Sequence, residues 1–215
     1  MIPSDHVALQ GCDGRDPPTL RRGRVHEVCG PARRSLAVLL ARAADGPAIW
    51  IGPTHAGERL HAPGLAEAGL NPGKLTLVDC AQAEDLLWSA EEALRHLALA
   101  GAGGVVIVDL AAPPRLTPVR RLHLAAGGAE AGAAERKLPL GLLLAPEGGG
   151  AQGIESRWHI APDHAPDRTV WTLERRRARG SPPAAWQMEG GQGPSDGTLT
   201  LRRVGAPDPY RHGGQ

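Results

Sequence analysis

The chain predicts an α/β fold built on a mostly parallel central sheet, and three observations carry that prediction. Short apolar runs without polar alternation, such as Ala48-Ile-Trp-Ile-Gly52 and Val105-Val-Ile-Val-Asp109, read as strands buried on both faces. Segments of helical periodicity separate these runs, and alternating strand and helix is the pattern of parallel strands joined by crossovers. Beyond Gly150 the helical pattern stops while strand-like runs continue, so the sheet is expected to be extended by antiparallel C-terminal strands.

Taken in order, residues 1–22 are rich in Pro, Gly, Asp and Arg without periodicity and read as a loose arm. Val25–Cys29 is a short strand that turns at Gly30 into a helix from about Pro31 to Ala44. Ala48–Gly52 is a buried strand between Pro47 and Pro53, Leu60–Ala68 a short helix, and Lys74–Val78 a further strand. Glu84–Leu99 carries the clearest helical signal, because Leu86, Ala90, Ala93, Leu94 and Leu97 fall on one face. Glu84, Asp85, Glu91 and Glu92 crowd its N-terminal half, and Arg95 and His96 its end, as the helix dipole favours. Gly103-Gly104 breaks this helix before the strand that ends in Asp109. Thr117 as N-cap and Pro118 at the first helical position begin a helix to about Ala126. Leu138–Ala145 is another buried strand; Ile154–Pro162 and Thr169–Arg179 are longer strands with mixed polar faces. From Gly190 the chain is Gly/Pro-rich, with Thr198–Val204 its one strand-like run, and is expected to be largely disordered. The organisation read from this pattern is an arm over 1–22, one domain over 23–188 and a tail over 189–215.

Composition narrows the function. At 215 residues the chain suits a single domain. A net charge of +1 excludes a global field that would hold the protein on nucleic acid or on a membrane surface. Phe is absent and Tyr210 is the only Tyr, so five Trp residues carry the aromatic surface. Trp50, Trp158 and Trp171 sit inside apolar runs and read as core, which argues against a stacking platform for single strands. Cys12, Cys29 and Cys80 form no C-x-x-C pair, and the last two read as small reduced core residues. The His residues show no metal-ligand spacing, so no metal site is expected. No leader pattern opens the sequence and no apolar run approaches the ~18 residues of a membrane span, so a cytoplasmic protein is expected.

One segment has the frame of a phosphate-binding loop without its chemistry. A working loop, G-x-x-x-x-G-K-[ST], cradles phosphates with backbone N–H groups, reaches the β/γ oxygens with its Lys and binds Mg²⁺ through its hydroxyl. Counting from Gly30, followed by Pro31, the second Gly falls on Ser35, the Lys on Leu36 and the Ser/Thr on Ala37. Asp109 has two readings: a carboxylate for Mg²⁺, or a strand-end Asp bonded to the remodelled loop. Arg33 and Arg34, at a helix N-terminus, keep open an anion contact. The run Glu174-Arg-Arg-Arg-Ala-Arg179 reads either as a solvated strand face or as a surface for phosphates or an acidic partner, through Arg175, Arg176, Arg177 and Arg179. Arg120 and Arg121 read as another outward face.

These elements, in this order, resemble the RecA-type ATPase core, most closely from Gly64 to Ala126, where Gly69-Leu-Asn-Pro-Gly-Lys-Leu, Val105–Asp109 and Leu116-Thr-Pro carry the likeness. Within that superfamily the chain is most similar to the ImuA family of bacterial damage-induced mutagenesis cassettes. The residues concerned are Gly23-Arg-Val-His-Glu-Val with Gly30-Pro-Ala, Ala56-Gly-Glu-Arg-Leu60 and Glu84-Asp-Leu-Leu-Trp88. Leu116-Thr-Pro-Val-Arg-Arg-Leu122, Gly153-Ile-Glu-Ser-Arg-Trp158 and Pro182-Pro-Ala-Ala-Trp186 complete them, so the likeness covers roughly 23–188. Three departures from a RecA ATPase stand out: the loop residues above, Gly52-Pro-Thr54 (with Glu58 only in a shifted register) where a water-activating Glu is placed, and Pro146 where a polar γ-phosphate sensor is placed.

The resemblance implies a RecA-like three-layer core with a vestigial nucleotide site at Gly30, Pro31, Ser35 and Asp109. It implies no catalysis and no cofactor, since phosphoryl transfer depends on positioned positive charge and metal. It further implies an accessory role in translesion DNA synthesis, with an ImuB-type polymerase-like protein, RecA and a DnaE-type error-prone polymerase as partners, and with DNA reached indirectly. Trp186 joins the arginines as an expected partner contact. A SulA-like cell-division inhibitor and a weakly active RecA-like ATPase are the alternatives.

Overall fold

The computed structural model describes residues 4–9, 11, 17–54, 60–127, 136–190 and 199–206. Its elements run β1 (His6–Ala8), β2 (Thr19–Arg21), β3 (Val25–Cys29), α1 (Arg33–Ala44), β4 (Ala48–Pro53), α2 (Ala62–Glu67), a single 3-10 turn (Pro72–Lys74) and β5 (Leu75–Cys80). They continue with α3 (Ala83–Ala100), β6 (Val105–Asp109), α4 (Leu116–Gly127), β7 (Leu140–Leu144), β8 (Ser156–Pro162), β9 (Val170–Ala178), β10 (Ala184–Gly190) and β11 (Leu199–Gly205).

Nine strands form one sheet in the order β11-β10-β9-β8-β3-β7-β6-β4-β5. From β5 to β8 every pairing is parallel; β9, β10 and β11 add antiparallel. The α/β class, the mostly parallel sheet and its antiparallel extension are therefore as the sequence predicts. Parallel pairing extends one strand further than expected, because β8 lies directly beside β3.

Alternation along the central strands separates two cores. Val105 and Ile107 of β6 face α1, whereas Val106 and Val108 face α3 and α4. The layers are thus α1, sheet, and the α3/α4 pair. Helix α3 buries Leu86, Ala90, Leu94 and Leu97, carries Glu84 and Asp85 in its first turn, and closes on Gly101 in the left-handed region at φ 62°. Gly104 brings β6 against the start of β4: a Cβ there would lie 2.2 Å from the Pro47 carbonyl oxygen, and the next residue, Val105, donates its N–H to that oxygen at 2.9 Å. Helix α4 starts at Leu116, ahead of the expected Thr117 cap, so Pro118 lies in the first turn, where its missing N–H costs nothing.

Both ends of the predicted domain need correction. The segment read as a loose arm contains the β1–β2 pair, and Val7, Leu9 and Leu20 are buried in the core on the α1 face. Arg22 fastens this piece: Nη2 donates to the Ala44 carbonyl at 2.6 Å and Nη1 to that of Leu138 at 3.3 Å. At the other end, β10 runs past residue 188, and β11 pairs with it along Ala185–Gly190, burying Leu201. The Leu201 N–H donates to the Gly11 carbonyl at 2.8 Å, so the two corrected segments meet. Residues 191–198 and 207–215 of the expected tail lie outside the described residues, as does Cys12.

Candidate functional site

The segment after β3 has a different backbone from a phosphate-binding loop, as well as different side chains. In such a loop the helix follows the complete motif, but here α1 already begins at Arg33, inside the Gly30–Ala37 frame. Gly30 turns the chain at φ 97°, and a Cβ there would sit 2.3 Å from the Ile160 carbonyl oxygen. Two N–H groups of this turn have protein acceptors: Ala32 donates to Ile160 O at 3.3 Å and Arg33 to Gly30 O at 3.2 Å. Leu36 and Ala37, at the positions of the Lys and the hydroxyl, are 1% and 0% exposed within the core on the α1 face. Pro31 and Ser35 lie on the surface.

Asp109 ends β6 beside the first turn of α1, and its charge is already matched. The Arg34 guanidinium donates to Asp109 Oδ2 from Nε and from Nη2, each at 2.7 Å. The two expectations attached separately to Asp109 and Arg34 therefore meet in one ion pair. Arg33 turns toward the loop instead, with Nη1 3.4 Å from Gly30 O.

Beside this pair lies a cleft of about 170 Å³ at the carboxyl ends of β4, β5 and β6. Trp50, Leu60 and Leu77 supply its apolar walls, and Arg34, Asp79 and Asp109 its charges. Small-molecule sites usually span about 300–1,000 Å³, so among the described residues this cleft is undersized for a nucleoside triphosphate. Thr54 lines it and donates its N–H to Cys80 O at 2.9 Å; Glu58 lies outside the described residues. Among the described residues, those at the site do not fit a Mg²⁺–nucleoside triphosphate.

The connection from β7 to β8 crosses β3 without a helix, and a residue not singled out from the sequence holds it. Glu27, in the middle of β3, is 0% exposed. Its carboxylate accepts the Gly150 N–H at 2.8 Å, the Ala151 N–H at 2.9 Å and the Arg157 Nε–H. Arg157 Nη2 in turn donates to Ala151 O at 3.1 Å. A charged residue inside a strand buried along its whole length was the available signal. Pro146 begins the turn that this cluster closes, with the Gly149 N–H donating to Pro146 O at 2.9 Å.

His26, next along β3, is fully buried. Its Nε2–H donates to the Arg21 carbonyl at 2.9 Å, which leaves Nδ1 to accept from the Ser156 hydroxyl at 2.6 Å. Ser156 Oγ accepts the Trp158 indole N–H at 2.7 Å. Burial pushes the His26 pKa down to about 4. Burial likewise raises the Cys29 thiol to about 11, and that thiol donates to Trp158 O, so Cys29 is an inert core group.

The arginine run divides. Arg175 and Trp186 are 4% and 0% exposed, so neither forms the partner-facing surface expected of it. The Arg175 guanidinium lies 5.8 Å from the Trp158 ring centre and 5.3 Å from that of Trp186, and its Nε donates to Pro182 O at 3.1 Å. The pairing of β8 and β9 shifts register between Arg157 and Trp158, opposite Arg177 and Arg175, so simple alternation fails there. Arg176 bridges buried Glu174 at 2.9 Å, with His159 Nδ1 3.6 Å from the same carboxylate. Arg177 and Arg179 are exposed, the latter 3.9 Å from Glu155.

Among the described residues no group of three His, Cys, Asp or Glu side chains is placed to hold a metal ion, and no helix is long and apolar enough to cross a membrane. No family model matches the chain, and no curated protein matches it.

Proposed function

We propose that this chain is a non-catalytic, cytoplasmic accessory protein of translesion DNA synthesis, acting in SOS mutagenesis as a scaffold between a RecA-type recombinase and an error-prone polymerase assembly. The family resemblance in its sequence suggests the pathway, and one structural observation supports the absence of catalysis. The Arg34–Asp109 pair occupies the strand-end carboxylate from which Mg²⁺ would be held, and Leu36 and Ala37 stand in the core at the positions of the Lys and the hydroxyl. A fold that keeps its strands and helices while its phosphate site is filled from within is suited to presenting surfaces. One such surface is the outer edge of the sheet at β5. Leu77 there is 57% exposed, and no strand pairs with β5 on its outer side among the described residues. An extended segment of a partner can add to such an edge.

The partners in this reading are RecA, an ImuB-type polymerase-like protein and a DnaE-type polymerase, with DNA engaged through them. Pull-downs at low salt with RecA and with the ImuB-type protein are expected to retain the chain, and failure with both overturns the reading. A titration with a fluorescent ATP analogue and Mg²⁺ is expected to show no saturable binding. Tight binding that Asp109→Ala abolishes would overturn the non-catalytic assignment.

A further inference from the structure

On the face of the molecule opposite α1, the first halves of α3 and α4 enclose a groove of about 230 Å³ lined by Glu84, Leu87, Trp88, Glu91, Pro118 and Arg121. Trp88 is 61% exposed, whereas Trp50, Trp158 and Trp186 are buried. An indole has a large apolar surface to gain from contact, and Trp is enriched among the residues that anchor protein interfaces.

The helix around Trp88 is acidic in a specific way. The positions three and four residues away on either side are Asp85, Glu84, Glu91 and Glu92, so carboxylates occupy all four neighbouring places on the helix surface. Glu91 is matched by Arg95 and Arg121, each at 2.7 Å, and Glu92 shares Arg95. Glu84 and Asp85 have no cationic partner among the described residues. The helix dipole accounts for acids in the first turn of α3. It gives no reason for an indole to stand exposed between them. An electron-rich ring beside surplus negative charge favours a cation.

We infer that the α3/α4 groove docks a short basic amphipathic segment of another protein. Its apolar side chains lie against Leu87 and Pro118, and a Lys or Arg sits over the Trp88 ring within reach of Glu84 and Asp85. This surface is separate from the cleft at Asp109 and from the β5 edge, so it stands whether or not the role in translesion synthesis does.

The test uses the isotope-labelled full chain and two synthetic amphipathic helical peptides, one of Leu and Lys, the other of Leu and Glu. The Trp88 indole N–H resonance, assigned from Trp88→Phe, reports occupancy. The Leu/Lys peptide is expected to shift that resonance saturably while the buried indoles stay in place. Affinity is expected to fall by about tenfold or more in Trp88→Ala, in the Glu84→Lys/Asp85→Lys variant, and between about 0.05 M and about 0.5 M salt. These are surface changes, and cooperative urea unfolding, with only the small loss expected from the helix dipole in the charge-reversed variant, will show that the variants fold. Equal binding of the Leu/Glu peptide, or equal affinity in Trp88→Ala, overturns the proposal. A Trp88 shift with protein concentration alone, accompanied by a dimer on sedimentation that Trp88→Ala abolishes, would assign the groove to a second copy and overturn it too.

Discussion

Restoring the missing phosphate-loop residues, Leu36→Lys with Ala37→Thr, is expected to unfold the protein without giving it nucleotide affinity. Both positions face the core, at 1% and 0% exposure. Removing the Leu36 side chain forfeits about 1.5–3 kcal/mol of apolar burial. The ammonium that replaces it must be desolvated or forced out past α1, at a cost of several kcal/mol more. Ala37→Thr adds two heavy atoms where there is no room, for about 1–3 kcal/mol. The total, at least about 5 kcal/mol, is comparable with the whole stability of an ordinary domain. Ser35→Gly, at the exposed position of the missing second glycine, should cost no more than about 1 kcal/mol. Urea titrations of the single and double variants, followed by Trp fluorescence, measure these losses; the ATP-analogue titration reports binding. A double variant that keeps its midpoint within about 1 kcal/mol and binds Mg²⁺–ATP would refute the reasoning. It would mean that α1 can retreat and that the loop is latent.

Two further outcomes follow from β3. Glu27→Ala strands the Gly150 and Ala151 N–H groups and the Arg157 guanidinium, so a loss of about 3–5 kcal/mol is expected in urea; a loss below about 1 kcal/mol would show that Glu27 does not pin the β7–β8 connection. His26 titrates lower in the folded state, about 4 against 6.5. Its contribution is therefore fully present above pH 6.5 and is lost as pH falls toward 4, by about 3 kcal/mol in all. His26→Gln should flatten the decline of stability over that window, and identical slopes for both proteins would contradict the assignment.

The elements read well from sequence where a local pattern was sufficient. The apolar stripe of α3 and the uninterrupted β3 and β6 runs needed no distant information, and their limits in the structure differ from expectation by at most a residue. The arm did not read so well, and β11, legible as the strand-like run Thr198–Val204, differs from expectation in being paired into the sheet rather than lying in a disordered tail. Three-residue strands have no visible period, and Val7 and Leu20 are buried only because α1 and the sheet lie against them. At the site, counting from Gly30 locates the lost residues, and the expected helix from about Pro31 places α1 inside the frame, where it begins at Arg33; the seat of the turn against Ile160 is visible only in the structure. The reading of Asp109 as bonded to the remodelled loop is the one the structure bears out, and it is the structure that names Arg34, 75 residues away, as the partner. Arg175 was misassigned because alternation sends charges outward, whereas two indoles offered this one a place inside.

The hydrogen bond from Leu201 to Gly11 has a consequence for how the molecule is made. Val7, Leu9 and Leu20 share a core with Trp186, Met188 and Leu201, which are translated roughly 165–195 residues later. Until β10 and β11 have emerged, that core lacks Trp186, Met188 and Leu201, and β9 is an open template for strand addition. Nascent chains stalled before residue 184 should therefore be clients of chaperones and proteases, because β9 then leaves an unpaired edge and its share of the core unfilled.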